Sequence, residues 1–216
     1  MALHNNNHGE PSLKTSTFVK AVAAAAFAIA GSAQATTVID FEALSNTGFP
    51  YVTAVHSYAE DGYNVTVGGG FINLLFAPST DNALQYAGST TAFAAVGDKV
   101  KLARADGAAF DFSSIDLSKL STLNPGGNSI TFTGNYAAGG SISKTVTIDN
   151  AFGLHTYDSF AGFTNLKSVT WSENLNVVKD YQFDNINVSA VPEPEAYAML
   201  GAGLGLLAFM RRRKQA

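Results

Sequence analysis

The sequence predicts an all-β protein built as an antiparallel β-sandwich, with a helical signal segment before it and a transmembrane helix after it. Apolar residues in the middle of the chain recur with period two, as in Ser129-Ile130-Thr131-Phe132-Thr133, and not with the helical period. Short alternating runs are separated by Gly, Asn and Asp turns, the pattern of two packed sheets. No segment repeats at the roughly 20–50-residue spacing of solenoids and propellers.

The first element is an address. Lys14 and Lys20 precede the apolar run Ala21–Ala30, and Ala33-Gln34-Ala35 follows. A basic start, a short apolar stretch and an A-x-A site define a secretion signal over residues 1–35, cut after Ala35. The run is too short to cross a bilayer, and the absence of a twin arginine favours the general secretory route.

The second element is one domain, residues 36–191. The clearest strands are Ser129–Thr133 and Ser141–Ile148, a hairpin around the turn formers Gly134–Gly140. Further strands are expected at Thr37–Phe41, Tyr63–Val67, Phe71–Phe76, Ala83–Tyr86, Lys99–Ala103, Ala108–Phe112, Phe152–Tyr157, Lys167–Ser172 and Tyr181–Val188. Gly68-Gly69-Gly70 and Asn124-Pro125-Gly126-Gly127 are turns. Ser113–Leu120 reads either as one helical turn or as an edge strand. Val169 and Trp171 share a face, which places Trp171 in the core.

The third element, residues 192–216, is a sorting tail. Val191-Pro192-Glu193-Pro194 leads into the apolar run Ala196–Met210, closed by Arg211-Arg212-Arg213-Lys214. Fifteen apolar residues make a helix of roughly 22 Å at 1.5 Å per residue, so the span needs a thinned bilayer or snorkelling ends. The four cations act as a membrane stop on the cytoplasmic side.

Charge and composition narrow the function. The domain holds 7 basic and 14 acidic residues, net −7, which disfavours nucleic acid. With no cysteine, disulfide, thiolate and iron–sulfur chemistry are excluded. His56 and His155 are the domain's two histidines; no H-E-x-x-H or G-x-S-x-G occurs.

The tail resembles the PEP-CTERM sorting signal of Gram-negative bacteria through Pro192-Glu193-Pro194, the Gly- and Leu-rich helix and the terminal arginines. The resemblance implies recognition by an exosortase, a membrane-anchored precursor, and release to a cell surface or an exopolysaccharide-rich biofilm matrix. The same tail is also named after ice-binding proteins that carry it. Within the domain, Ile39-Asp40-Phe41-Glu42 at the start and Phe183-Asp184-Asn185-Ile186-Asn187-Val188 at the end resemble jelly-roll carbohydrate-binding modules. That likeness implies neighbouring first and last strands with a structural calcium where they meet.

The residues themselves offer a site for such an ion. Ca²⁺ takes several oxygen ligands, and Asp40, Glu42 and Asp184 lie on the terminal strands. Apolar parity shifts between Phe183 and Ile186, which predicts a bulge at Asp184–Asn185 that re-aims side chains. For sugar binding, Tyr51, Tyr63, Tyr86, Tyr136, Tyr157 and Trp171 are the aromatic candidates, and Tyr136, in the hairpin turn, is the ligand-binding choice. The T-x-T pairs Thr131/Thr133 and Thr145/Thr147 are too few for an ice-binding array. The leading expectation is a non-enzymatic surface or matrix protein that binds extracellular polysaccharide. The alternative is a secreted hydrolase of glycans or esters assembled from dispersed residues, Glu60, Asp61 and Glu173 among them.

Overall fold

The computed structural model describes residues 35–173, 180–192 and 194–213; all of the signal segment except Ala35, together with Glu193 and Lys214, lies outside them. Thirteen strands form: β1 (Thr36–Ile39), β2 (Val52–Val55), β3 (Ser57–Glu60), β4 (Tyr63–Gly68), β5 (Leu75–Pro78), β6 (Phe93–Ala94), β7 (Lys99–Arg104), β8 (Phe110–Lys119), β9 (Ser129–Tyr136), β10 (Ser141–Thr147), β11 (His155–Tyr157), β12 (Leu166–Glu173) and β13 (Tyr181–Ala190). Helix α1 (Pro194–Arg213) follows as a separate unit.

Every strand pairing is antiparallel. One layer runs β1-β13-β8-β11, the other β3-β4-β7-β12-β9-β10. The layers touch through a single pairing, Leu166 with Phe110. A small third sheet, β2-β5-β6, adjoins through a bridge from Ala92 to Phe183. The period-two pattern decides which side chains face inward. Phe132 and Trp171 from one layer meet Phe112 and Phe183 from the other, with Trp171–Phe183 ring centroids 5.2 Å apart and Phe112–Phe132 at 6.0 Å. These four rings are almost wholly buried, so the fold is a sandwich closed on an aromatic core.

The hairpin β9–β10, the core position of Trp171 and the neighbouring first and last strands all appear as expected. So does the bulge: the β13–β8 register shifts after Asp184, and Asn185 takes a left-handed backbone at φ 46°. Elsewhere the structure corrects the sequence reading. Ser113–Leu120 is neither a helical turn nor an edge; through Lys119 it continues β8, which lies between β13 and β11. Ala83–Tyr86 is a turn, closed by the amides of Gln85 and Tyr86 on the Asn82 carbonyl. Strands β2, β3 and β6 had no expectation.

The expected transmembrane helix is also corrected, and with it the membrane as a partner through that helix. Helix α1 forms, but no helix among the described residues is long and apolar enough to cross a membrane. Its apolar stretch spans about 22 Å against a hydrocarbon core of about 30 Å, and Gly201, Gly203 and Gly205 thin its hydrophobicity further.

Candidate functional site

The bulge in β13 organises an acidic seam where the first and last strands pair. Asp184, directly opposite Asp116 on β8, is fully buried on the side of β13 away from the aromatic core. Its carboxylate accepts from the Ser89 hydroxyl and from the Asn185 amide at 2.8 Å. The left-handed turn at Asn185 also lets its side-chain amide donate to Asp116 at 2.9 Å, while Thr156 donates to the other Asp116 oxygen at 2.6 Å. Glu42 receives the Thr90 amide at 3.0 Å and the Thr90 hydroxyl at 2.9 Å. Thr91 donates to Gln182. The segment Ser89-Thr90-Thr91 thus fastens three successive hydroxyls onto Asp184, Glu42 and Gln182.

Burial pushes the Asp184 carboxyl up to about 7. The Ser89 and Asn185 donors pull it down, and the charges of Glu42 and Asp116 push it further up. Asp40 faces another way. Its amide donates to Glu60 at 3.0 Å and its carboxylate takes the Glu42 amide at 3.1 Å, around Phe41 in a left-handed conformation. Glu60 is raised by burial, and Tyr58 by burial and by Glu60 beside it.

The seam therefore brings Glu42 and Asp184 near one another and leaves Asp40 with Glu60. Among the described residues no group of three or more His, Asp or Glu side chains is placed to hold a metal ion. The carboxylate oxygens are taken by hydroxyls and amides, an arrangement that fits hydrogen bonding better than coordination.

The other candidates are dispersed. Tyr136 is half-buried, packs against the core, and donates its hydroxyl to the Gly162 carbonyl at 3.1 Å. Tyr63 and Trp171 are core residues. Tyr51 is the exposed one, edge-on to the exposed ring of Phe49 at 6.3 Å; Phe49 went unnoticed because a lone aromatic in a turn carries no periodic signal, and Phe71, expected to open the strand Phe71–Phe76, is fully exposed ahead of β5. His56 is exposed, and His155 makes an exposed pair with Asp149 at 3.0 Å. The T-x-T pairs form a ladder, Thr131 with Thr145 at 2.9 Å and Thr133 with Ser143 at 3.1 Å.

At the C-terminal edge of the domain β13 ends at Ala190, and the Val191 amide still bonds the Ala109 carbonyl at 3.1 Å. Residues 190–214 match the PEP-CTERM protein-sorting motif. The chain is thus a β-sandwich carrying a PEP-CTERM sorting motif, which implies export and exosortase-mediated sorting to the cell surface. No curated protein matches the chain. Among solved structures, it is similar to a family 29 carbohydrate-binding module from Piromyces equi, at 8% identity over 74% of this chain and 92% of that one, TM-score 0.41. Another family 29 module shows 12% identity over 72% and 88%, TM-score 0.39. A mutant module of that family complexed with cellulohexaose shows 11% over 73% and 92%, TM-score 0.37.

Proposed function

We propose that the mature protein is a non-enzymatic component of the cell surface or extracellular matrix that binds exopolysaccharide. The observation that carries this reading is the sorting motif at residues 190–214, which follows directly on the last strand of the sandwich. The carboxylates that the fold gathers, Asp184, Glu42 and Asp116, are held by the hydroxyls of Ser89, Thr90 and Thr156. Cleavage after Ala35 and processing near Val191-Pro192-Glu193-Pro194 belong to the same proposal. Tyr136 would serve as a rim contact, with Tyr51 and Phe49 as the freer rings.

A glycan array and a hydrolase panel test the reading on the purified protein. Binding without turnover is expected; robust turnover of any glycan or ester overturns it in favour of the hydrolase. Mass spectrometry of the exported form should show loss of Arg211–Lys214 in cells with an intact exosortase.

A structural Ca²⁺ at Asp40, Glu42 and Asp184 remains a proposal within this reading, because the ion would have to displace Ser89 and Thr90 from two of its three ligands. Thermal melting with millimolar calcium against chelator decides it. A rise in melting temperature that Asp184→Ala abolishes supports the ion; an unchanged curve rejects it.

A further inference from the structure

The outward face of the six-stranded layer β3-β4-β7-β12-β9-β10 has a chemistry unlike the rest of the domain. Strand registers line up one row across all six strands: Ser143, Thr133, Thr170, Lys101, Thr66 and Ser57. At about 4.8 Å between strands, that row is roughly 24 Å long. Neighbouring rows repeat it, with Thr145, Thr131 and Ser172 in one, and Lys99 two residues from Lys101 on the same face. The inward positions between them are Val65, Val100, Leu102, Phe132, Val146 and Trp171, all buried. The outward positions of these six strands carry no Asp, Glu or aromatic residue.

Lys99 and Lys101 are exposed, and neither is in an ion pair among the described residues. They stand as two free cations on a hydroxyl floor in a domain of net charge −7. Hydroxyls both donate and accept, so they suit the hydroxyls of a sugar chain. Ammonium groups on flexible stems seek anionic oxygens, and charge-assisted hydrogen bonds are the stronger ones. Elsewhere the acidic surface repels a polyanion, so the charge pattern selects this face. We propose that it binds an acidic, carboxylate-bearing polysaccharide. The proposal rests on the exopolysaccharide reading above and deepens it by naming the surface and the charge class.

Affinity electrophoresis of the purified full-length chain tests it, using carboxymethylcellulose and the neutral hydroxyethylcellulose as probes on one backbone. The wild type should be retarded by the first more than by the second, and added salt should abolish the difference. The double variant Lys99→Gln/Lys101→Gln should bind carboxymethylcellulose about tenfold more weakly, as expected for two lost exposed charge contacts. Its melting curve should match the wild type. Equal retardation by both polymers, or a variant that binds like the wild type, overturns the proposed face and leaves the exopolysaccharide reading standing. Failure to bind either polymer or any glycan on the array overturns both. A concentration-dependent dimer that shields Lys99 and Lys101 assigns the face to a second copy of the chain and overturns the proposal.

Discussion

Phe183→Ala will destabilise the domain by about 3–5 kcal/mol, the range for truncating a large buried aromatic. Phe183 is fully buried on β13 and is shared by three neighbours: Phe41 at 5.5 Å, Trp171 at 5.2 Å and Tyr181 at 6.2 Å between ring centroids. Its backbone also carries the Ala92 bridge to the small sheet, with both hydrogen bonds at 2.8 Å. A cavity there opens where the two layers and the small sheet meet, and rigid rings collapse into it poorly. Chemical denaturation of the two proteins checks the value. A loss below about 0.5 kcal/mol, the size of a typical surface effect, would show that Phe183 does not join the layers.

Asp184→Asn will flatten the pH dependence of stability and raise stability at neutral and alkaline pH. An unfolded Asp titrates near 3.9, and the folded group is pushed up to about 7 by burial and by Glu42 and Asp116. Between those values the folded state binds more protons than the unfolded one, so stability falls as pH rises through that window and levels off above it. The full difference is on the order of 4 kcal/mol, three pH units at about 1.4 kcal/mol each. Asparagine keeps the shape, still accepts from the Asn185 amide, and lets the Ser89 hydroxyl turn to accept. Melting curves from pH 4 to pH 8 are the measurement. The wild type should lose melting temperature across the range and the variant should not; parallel curves would show that Asp184 is ionised without cost.

These two residues also show what was legible in the sequence. The alternation of Ile130 and Phe132 with Thr131 and Thr133 reports one buried and one wet face directly, so the hairpin, the Trp171 core position and the outward hydroxyls could all be read from it. The parity shift between Phe183 and Ile186 reported the bulge for the same reason. What Asp184 faces was not legible. Its partner Ser89 lies 95 residues away in a segment without periodic pattern, and only the folded chain brings it over β13. A carboxylate on a strand reads as a ligand for an ion, and the hydroxyl donor that the fold brings to it leaves no trace in the local pattern. Strand β8 was misjudged through Ser113, Ser114 and Ser118: its small polar residues sit in the interior of a layer whose outer side is partly covered, as the fully buried Ser118 shows.

The pairing of β1 with β13 has a consequence for the order of events during export. Among the described residues strand β1 pairs only with β13, and β13 fills the place between β1 and β8. A chain that emerges amino end first presents β1 early, yet leaves it without a neighbour until the last strand has crossed. Until then β8 lacks its β13 neighbour along Phe112 and Leu117, and the loop to be closed runs from Thr36 to Ser189. On the proposed secretory route the sandwich would close only once β13 has crossed. On the proposed secretory route the final strand and the sorting motif would cross almost together, so the domain would reach its native state as the tail becomes available to the sorting machinery.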